Sequence, residues 1–88
     1  MQQLEIALSQ APAGVRLTFK QAEGQRAHVY RRVSTEGHSW EHIGEDVRSP
    51  FTDPAAYPPG TRLEYHVQFL SESHAYEGHS TLARITLV

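Results

Sequence analysis

Apolar and polar residues alternate over most of this chain. Leu4, Ile6 and Leu8 are separated by Glu5 and Ala7, and Val15, Leu17 and Phe19 by Arg16 and Thr18. In the longest run, Leu63, Tyr65, Val67 and Phe69 interleave with Glu64, His66 and Gln68. A period of two sends successive side chains to opposite faces, so each stretch predicts a strand with one face buried and one wet. A third strand is expected over 26–33, where Ala27 and Val29 oppose His28, Tyr30 and Arg32. A short fourth is expected over 39–43, carrying the single tryptophan, Trp40. Residues 79–87 close the chain, with Thr81, Ala83, Ile85 and Leu87 on one parity. Pro50 cannot donate to a ladder, which confines 49–53 to a short or edge strand.

Turn chemistry separates these runs: Ala11-Pro12-Ala13-Gly14, Glu23-Gly24, Thr35-Glu36-Gly37-His38 and Pro58-Pro59-Gly60, with polar loops at 44–48 and 71–78. The turn at Glu23-Gly24 is too short for a crossover helix, so the strand after it is antiparallel or lies in the other sheet. No segment sustains a 3.6-residue period. About seven short strands without a helix predict one antiparallel β-sandwich domain over residues 1–88. Its expected core is Leu4, Ile6, Leu8, Val15, Leu17, Phe19, Val29, Phe51, Tyr57, Leu63, Tyr65, Val67, Phe69, Ile85 and Leu87.

These residues resemble a fibronectin type III domain over essentially the whole chain. The matching elements are Val15-Arg-Leu-Thr-Phe19, Val29-Tyr-Arg-Arg32 followed by Trp40 and Ile43, Ser49-Pro-Phe-Thr-Asp53, and Pro59-Gly-Thr61 with the strand after it. Gly78-His-Ser80 precedes the last strand. The resemblance implies seven strands in two sheets, A-B-E against C-C′-F-G, and a non-catalytic spacer or protein-interaction module from a larger bacterial-type architecture. Two positions depart from the family. Phe19 stands where tryptophan is usual, and Leu63 where a tyrosine usually ties the corner before strand F. Tyr57 and Pro58-Pro59 are expected to stiffen that corner instead.

Composition narrows the function classes. A chain of 88 residues buries only about 60–65% of its unfolded surface, so the core must be used efficiently. No apolar run approaches the ~20 residues a membrane helix needs, and Gln2-Gln3-Leu4-Glu5 reads against a secretion signal. With no cysteine there is no disulfide or thiolate metal site, and the compartment is left open. The net charge is −2 and the longest basic cluster is Arg31-Arg32, which disfavours nucleic acid. Six histidines would carry the formal charge to +4 if all were protonated, so surface behaviour is expected to change between about pH 7 and pH 5.

Candidate chemistry is sparse. His28 and His66 share outward parity and with Glu64 would make a weak metal site; no cofactor or metal is expected. Ser71-Glu72-Ser73-His74 and His79-Ser80 juxtapose serine and histidine, but nothing positions them as nucleophile and base, so no enzyme is expected. Binding is the stronger expectation. One candidate surface pairs the loops 21–25 and 71–78, with His74 and Tyr76 as anchors. The other is the outer face of the C–F–G sheet: His28, Tyr30, Arg32, His66, Gln68, Leu82 and Arg84, with Trp40 beside it. The expected partner is a protein or neighbouring domain. Carbohydrate binding by Trp40, Tyr30 and Tyr76 is the alternative, and a weak homo-oligomer through the last strand (Leu82, Thr86, Val88) is a third reading.

Overall fold

The alternating runs become paired strands. A computed structural model describes residues 5–33, 39–54 and 56–88, and all the regular structure among them is strand. In order these are β1 (Ile6–Ala11), β2 (Gly14–Phe19), β3 (Arg26–Val33), β4 (Glu41–Val47), β5 (Phe51–Asp53), β6 (Arg62–Leu70), β7 (Tyr76–His79) and β8 (Ala83–Thr86). Every pairing is antiparallel. One sheet has the order β1-β2-β5; the other has β4-β3-β6-β7, with β8 also on β6. Leu4 of the expected core and the turn at 35–38 lie outside the described residues.

The core forms where the two inner faces meet. Val15, Leu17 and Phe19 of β2 face Ala27 and Val29 of β3 and Leu63, Tyr65, Val67 and Phe69 of β6, all buried, with Leu87 closing one end. Phe19 and Phe69 meet edge to face, with centroids 6.0 Å apart at 67°, an arrangement that sets the positive edge of one ring against the negative face of the other. Ile6, Leu8, Phe51, Tyr57 and Ile85 pack around this centre and are only partly buried.

Two strand expectations need correction. The described residues form eight strands rather than seven, because β7 arises largely within the expected loop 71–78 and the expected last strand, 79–87, is reduced to β8. The break is at Ser80, which is buried. Its N–H donates to the Val67 carbonyl, while its Oγ accepts from the Val67 N–H at 2.8 Å. A side-chain oxygen thus replaces the backbone acceptor that a continuous strand would supply. Part of the expected polar loop 71–78 is also strand, since β7 begins at Tyr76. Ser80→Ala should therefore cost about 1–3 kcal/mol, the penalty for an orphaned buried N–H; urea unfolding that leaves stability unchanged would refute this role.

The fourth strand runs over 41–47, not 39–43, so residues read as loop belong to β4 and Trp40 lies just before it. Gly44 is buried there, and an added Cβ would stand 3.1 Å from the Phe51 ring. Two register shifts against β3 interrupt the period of two, which is why the stretch reads as loop.

The corner before β6 is tied by backbone groups. Gly60, at φ +92°, lets the chain turn so that the Thr61 N–H and hydroxyl both donate to the Pro58 carbonyl, at 3.2 and 2.7 Å. Gly60 N–H donates to Leu87 O and Leu87 N–H to Thr61 O. The Gln10 side-chain amide likewise pairs with the Val88 backbone in both directions.

Candidate interaction face

The outer face of the five-stranded sheet carries a stack of rings. Register places Tyr30 of β3 opposite His66 of β6 on one side and His42 of β4 on the other. The Tyr30 ring lies 4.8 Å from His66 at 8° and 4.9 Å from His42 at 20°. Those separations equal the spacing of neighbouring strands, so each ring stands over its own strand with its plane upright. His28 extends the row, 5.0 Å from His42. At the other end Trp40 meets His66 edge to face at 4.4 Å, with the Arg32 guanidinium 4.5 Å from the Trp40 ring centroid. The faces of His42, Tyr30 and His66 are thus turned toward one another, while Arg32 lies over Trp40.

A carboxylate fixes the cations beside it. Glu64 is buried although it has outward parity, because Arg32 and Arg84 both reach it, Nε to oxygen, at 2.6 and 2.5 Å. Hydrogen bonds from Arg84 and then Arg32 hold its carboxyl below the ordinary value, against the opposing effect of burial. His66 is also lowered, first by burial and then by the positive fields of His79 and Arg32. Both shifts act in one direction on stability. With a folded-state pKa below the unfolded one, the unfolded chain binds the proton first as pH falls, so stability drops with acid. The His66 contribution is present above about 6.5 and is lost below it; the Glu64 contribution begins to go below about 4.5. Urea midpoints should therefore decline from pH 7.5 to 5.5 and again toward pH 3.5, and His66→Gln should flatten the first decline. A midpoint that rises on acidification contradicts the assignment.

At the end of the face nearest the 21–25 loop, Asp46 receives Arg26 at 2.9 Å and lies 3.4 Å from His28 and 4.0 Å from His74. Asp46 and His74 both have left-handed backbone, with φ +52° and +68°. The loops 21–25 and 71–78 do lie side by side. Gln25 donates to Glu77 and Arg26 to the Glu72 carbonyl, and Gly24, Gln25, Glu72 and Ser73 line a shallow cleft between them. Tyr76 and Leu82 are exposed, and Tyr76 stacks on His79 while its hydroxyl bonds to His79 Nδ1.

The expected face residues His28, Tyr30, Arg32, Trp40 and His66 are thus brought together, with Arg84 joined through Glu64. His74 and Tyr76 lie apart at the loop end, and Leu82 lies in the segment between β7 and β8. His42, which links His28 to Tyr30, was not among the expected residues; its place two residues beyond Trp40 was the available signal. Among the described residues no group of three His, Asp or Glu side chains is arranged to hold a metal ion. Glu64, the carboxylate of the weak site considered from sequence, is taken by the two arginines.

Inside the sandwich lies a second polar cluster. Arg31 Nη1 donates to both Asp53 oxygens at 2.7 and 2.8 Å, its Nη2 to Glu41 at 2.6 Å, and Tyr65 donates its hydroxyl to Asp53 at 2.5 Å. Burial opposes the charge on Arg31, but the Asp53 hydrogen bond and field outweigh it and raise its pKa. The Tyr65 phenol is raised too, by burial and then by Asp53, so it stays protonated as a donor. Tyr57 packs over this cluster, its ring centroid 5.4 Å from the Arg31 guanidinium.

No family model and no curated protein matches the chain. Among solved structures it is similar to the pectate lyase PelI from Erwinia chrysanthemi, crystallised with tetragalacturonic acid, with a TM-score of 0.72 at 24% identity. The match covers 94% of this chain and 28% of that chain. The chain therefore spans little more than a quarter of its neighbour's length, and at this identity the two share a fold alone.

Proposed function

We propose that this chain is a non-catalytic β-sandwich module of the fibronectin type III kind, acting as a protein-interaction or domain-docking unit through the outer face of its five-stranded sheet. Two antiparallel sheets, β1-β2-β5 and β4-β3-β6 with β7 and β8 on β6, support this reading, since the resemblance implies strands A, B and E against C, C′, F and G. The similarity to 28% of a longer chain supports a module that is joined to other domains. The observation that carries the reading is the row of five rings across the sheet, with Arg32, itself fixed on Glu64, lying over Trp40 at one end. Fixed aromatic and arginine side chains lose little freedom on contact and are the residue types that anchor interfaces.

Carbohydrate binding by Trp40, Tyr30 and Tyr76 draws less support from this geometry. A sugar stacks on an open ring face, whereas Tyr30 is flanked on both sides, Trp40 carries Arg32, and Tyr76 lies on His79. Site-specific photocrosslinking in the producing cells tests the interaction reading. A photoreactive residue at His42 should yield a protein adduct, and one at Thr18, on the outer face of the other sheet, should not. Adducts from neither position would point to a simple spacer, and equal adducts from both would also defeat the reading.

A further inference from the structure

We propose that Tyr76, with His79 as its proton acceptor, is an oxidative cross-linking site through which two copies of this chain become covalently joined. The inference starts from a break in strand geometry. In a regular strand, residues three apart point to opposite faces. In β7, however, His79 stands opposite Gln68 and Tyr76 opposite Leu70, so Glu77 is an extra residue in the register. Gln68 and Leu70 share one parity, and the bulge therefore brings Tyr76 and His79 to the same face. The Tyr76 hydroxyl meets Nδ1 of His79, and the two ring planes lie 25° apart, so the O–H points along the in-plane lone pair. A neutral imidazole accepts at one nitrogen only, which puts the ring hydrogen of His79 on Nε2.

That contact matters because a phenol that has lost an electron is a strong acid, and its oxidation is easy where a base takes the proton in the same event. The other three tyrosines do not combine a base with exposure. Tyr30 donates to the Gln68 side-chain oxygen, an amide that does not hold a proton, and its ring lies between His42 and His66. Tyr57 lies beside the Arg31 guanidinium, whose charge opposes removal of an electron. Tyr65 donates to the Asp53 carboxylate but is fully buried, so no second ring reaches it. The Trp40 indole is faced by a cation too, that of Arg32. Tyr76 is 48% exposed, and among the described residues β7 pairs only with β6, which leaves its other edge open.

The step balances as follows. A one-electron oxidant, such as a high-valent metal complex or an oxidising radical, takes an electron from the Tyr76 ring. The O–H bond breaks and its proton passes to His79 Nδ1. Two phenoxyl rings, one from each copy, then join by a bond between their ortho carbons. The hydrogen on each coupled carbon moves as a proton to the oxygen and restores the phenol, while each His79 returns its proton to water. Each chain thus loses one electron and one proton, and one equivalent of oxidant is reduced per chain.

The test exposes the whole chain to hexachloroiridate(IV), which takes one electron and no proton, and follows its bleaching together with the blue fluorescence of coupled tyrosine. A covalent dimer should form, with fragment mass spectra placing the new bond between the two copies of Tyr76. Tyr76→Phe should abolish the dimer. His79→Gln, whose amide does not take the proton, should form it at least about tenfold more slowly. Its amide NMR spectrum away from β7 should match that of the parent chain, which separates loss of the base from loss of the fold. Tyr57→Phe should dimerise at the parent rate. The proposal is overturned if the bond maps to another tyrosine, if the oxidant is consumed without a dimer, or if folded His79→Gln dimerises as fast as the parent chain.

Discussion

Replacing Asp53 by alanine is expected to cost about 3–5 kcal/mol, the loss associated with stranding one member of a buried ion pair. Asp53 is 1% exposed and accepts from Arg31 twice and from the Tyr65 hydroxyl. Without it, Arg31 keeps Glu41, which lies at the surface with 62% of its side chain accessible, and Tyr65 retains a buried hydroxyl that has lost this acceptor. A domain of this size has a total stability of about 4–13 kcal/mol, so much of it would be removed. Urea denaturation of the variant measures the loss. The paired change Arg31→Met with Asp53→Leu should recover most of it, because removing both charges also removes the desolvation cost. If the double variant is no more stable than Asp53→Ala, the cluster stabilises through something other than charge pairing.

Truncating Phe69 to alanine should cost about 3–5 kcal/mol, since the ring is buried in the core near the C-terminal end of β6. Part of that loss belongs to the edge-to-face contact with Phe19. A double-mutant cycle should therefore show Phe69→Ala and Phe19→Ala to be non-additive by about 0.5–1.5 kcal/mol. Strict additivity in denaturant unfolding would mean that each ring contributes only its own burial.

The central strands were legible from the sequence because parity alone places Leu63, Tyr65, Val67 and Phe69 inward, and the structure buries all four. What parity misreads is charge. Arg31 shares the inward parity of Ala27 and Val29, and Asp53 that of Phe51, so both carried the signal of a buried pair; reading charged residues as wet concealed it. Glu64 was read as outward, correctly, yet it is buried because two arginines from neighbouring strands fold over it, a tertiary event with no local trace. The limits of β4 were missed for a different reason. Its bulges break the period, and a stretch such as Gly44-Glu45-Asp46 has the composition of a loop even while it pairs. The outer-face candidates were mostly on a common surface because cross-strand neighbours follow once strand order is assumed. His42 was lost with the boundary of its strand.

The spacing of the ring stack also bears on how the chain finds its alignment. Sliding β3 by two residues along β6 keeps Ala27, Val29, Arg31 and Val33 facing inward, and mixed aliphatic interiors tolerate exchanges of that size. A one-residue slip turns the apolar face outward; a two-residue slip keeps the apolar pattern inward and is opposed inside only where it would carry Arg31 away from Tyr65 and Asp53. On the outside, however, the slip would bring Tyr30 opposite Glu64 or Gln68 in place of His66, and would carry Arg32 away from Glu64. The solvent-facing side of the sheet thus acts as a vernier, adding to the single buried Arg31–Asp53 pair a second discrimination between alignments that the aliphatic pattern alone accepts.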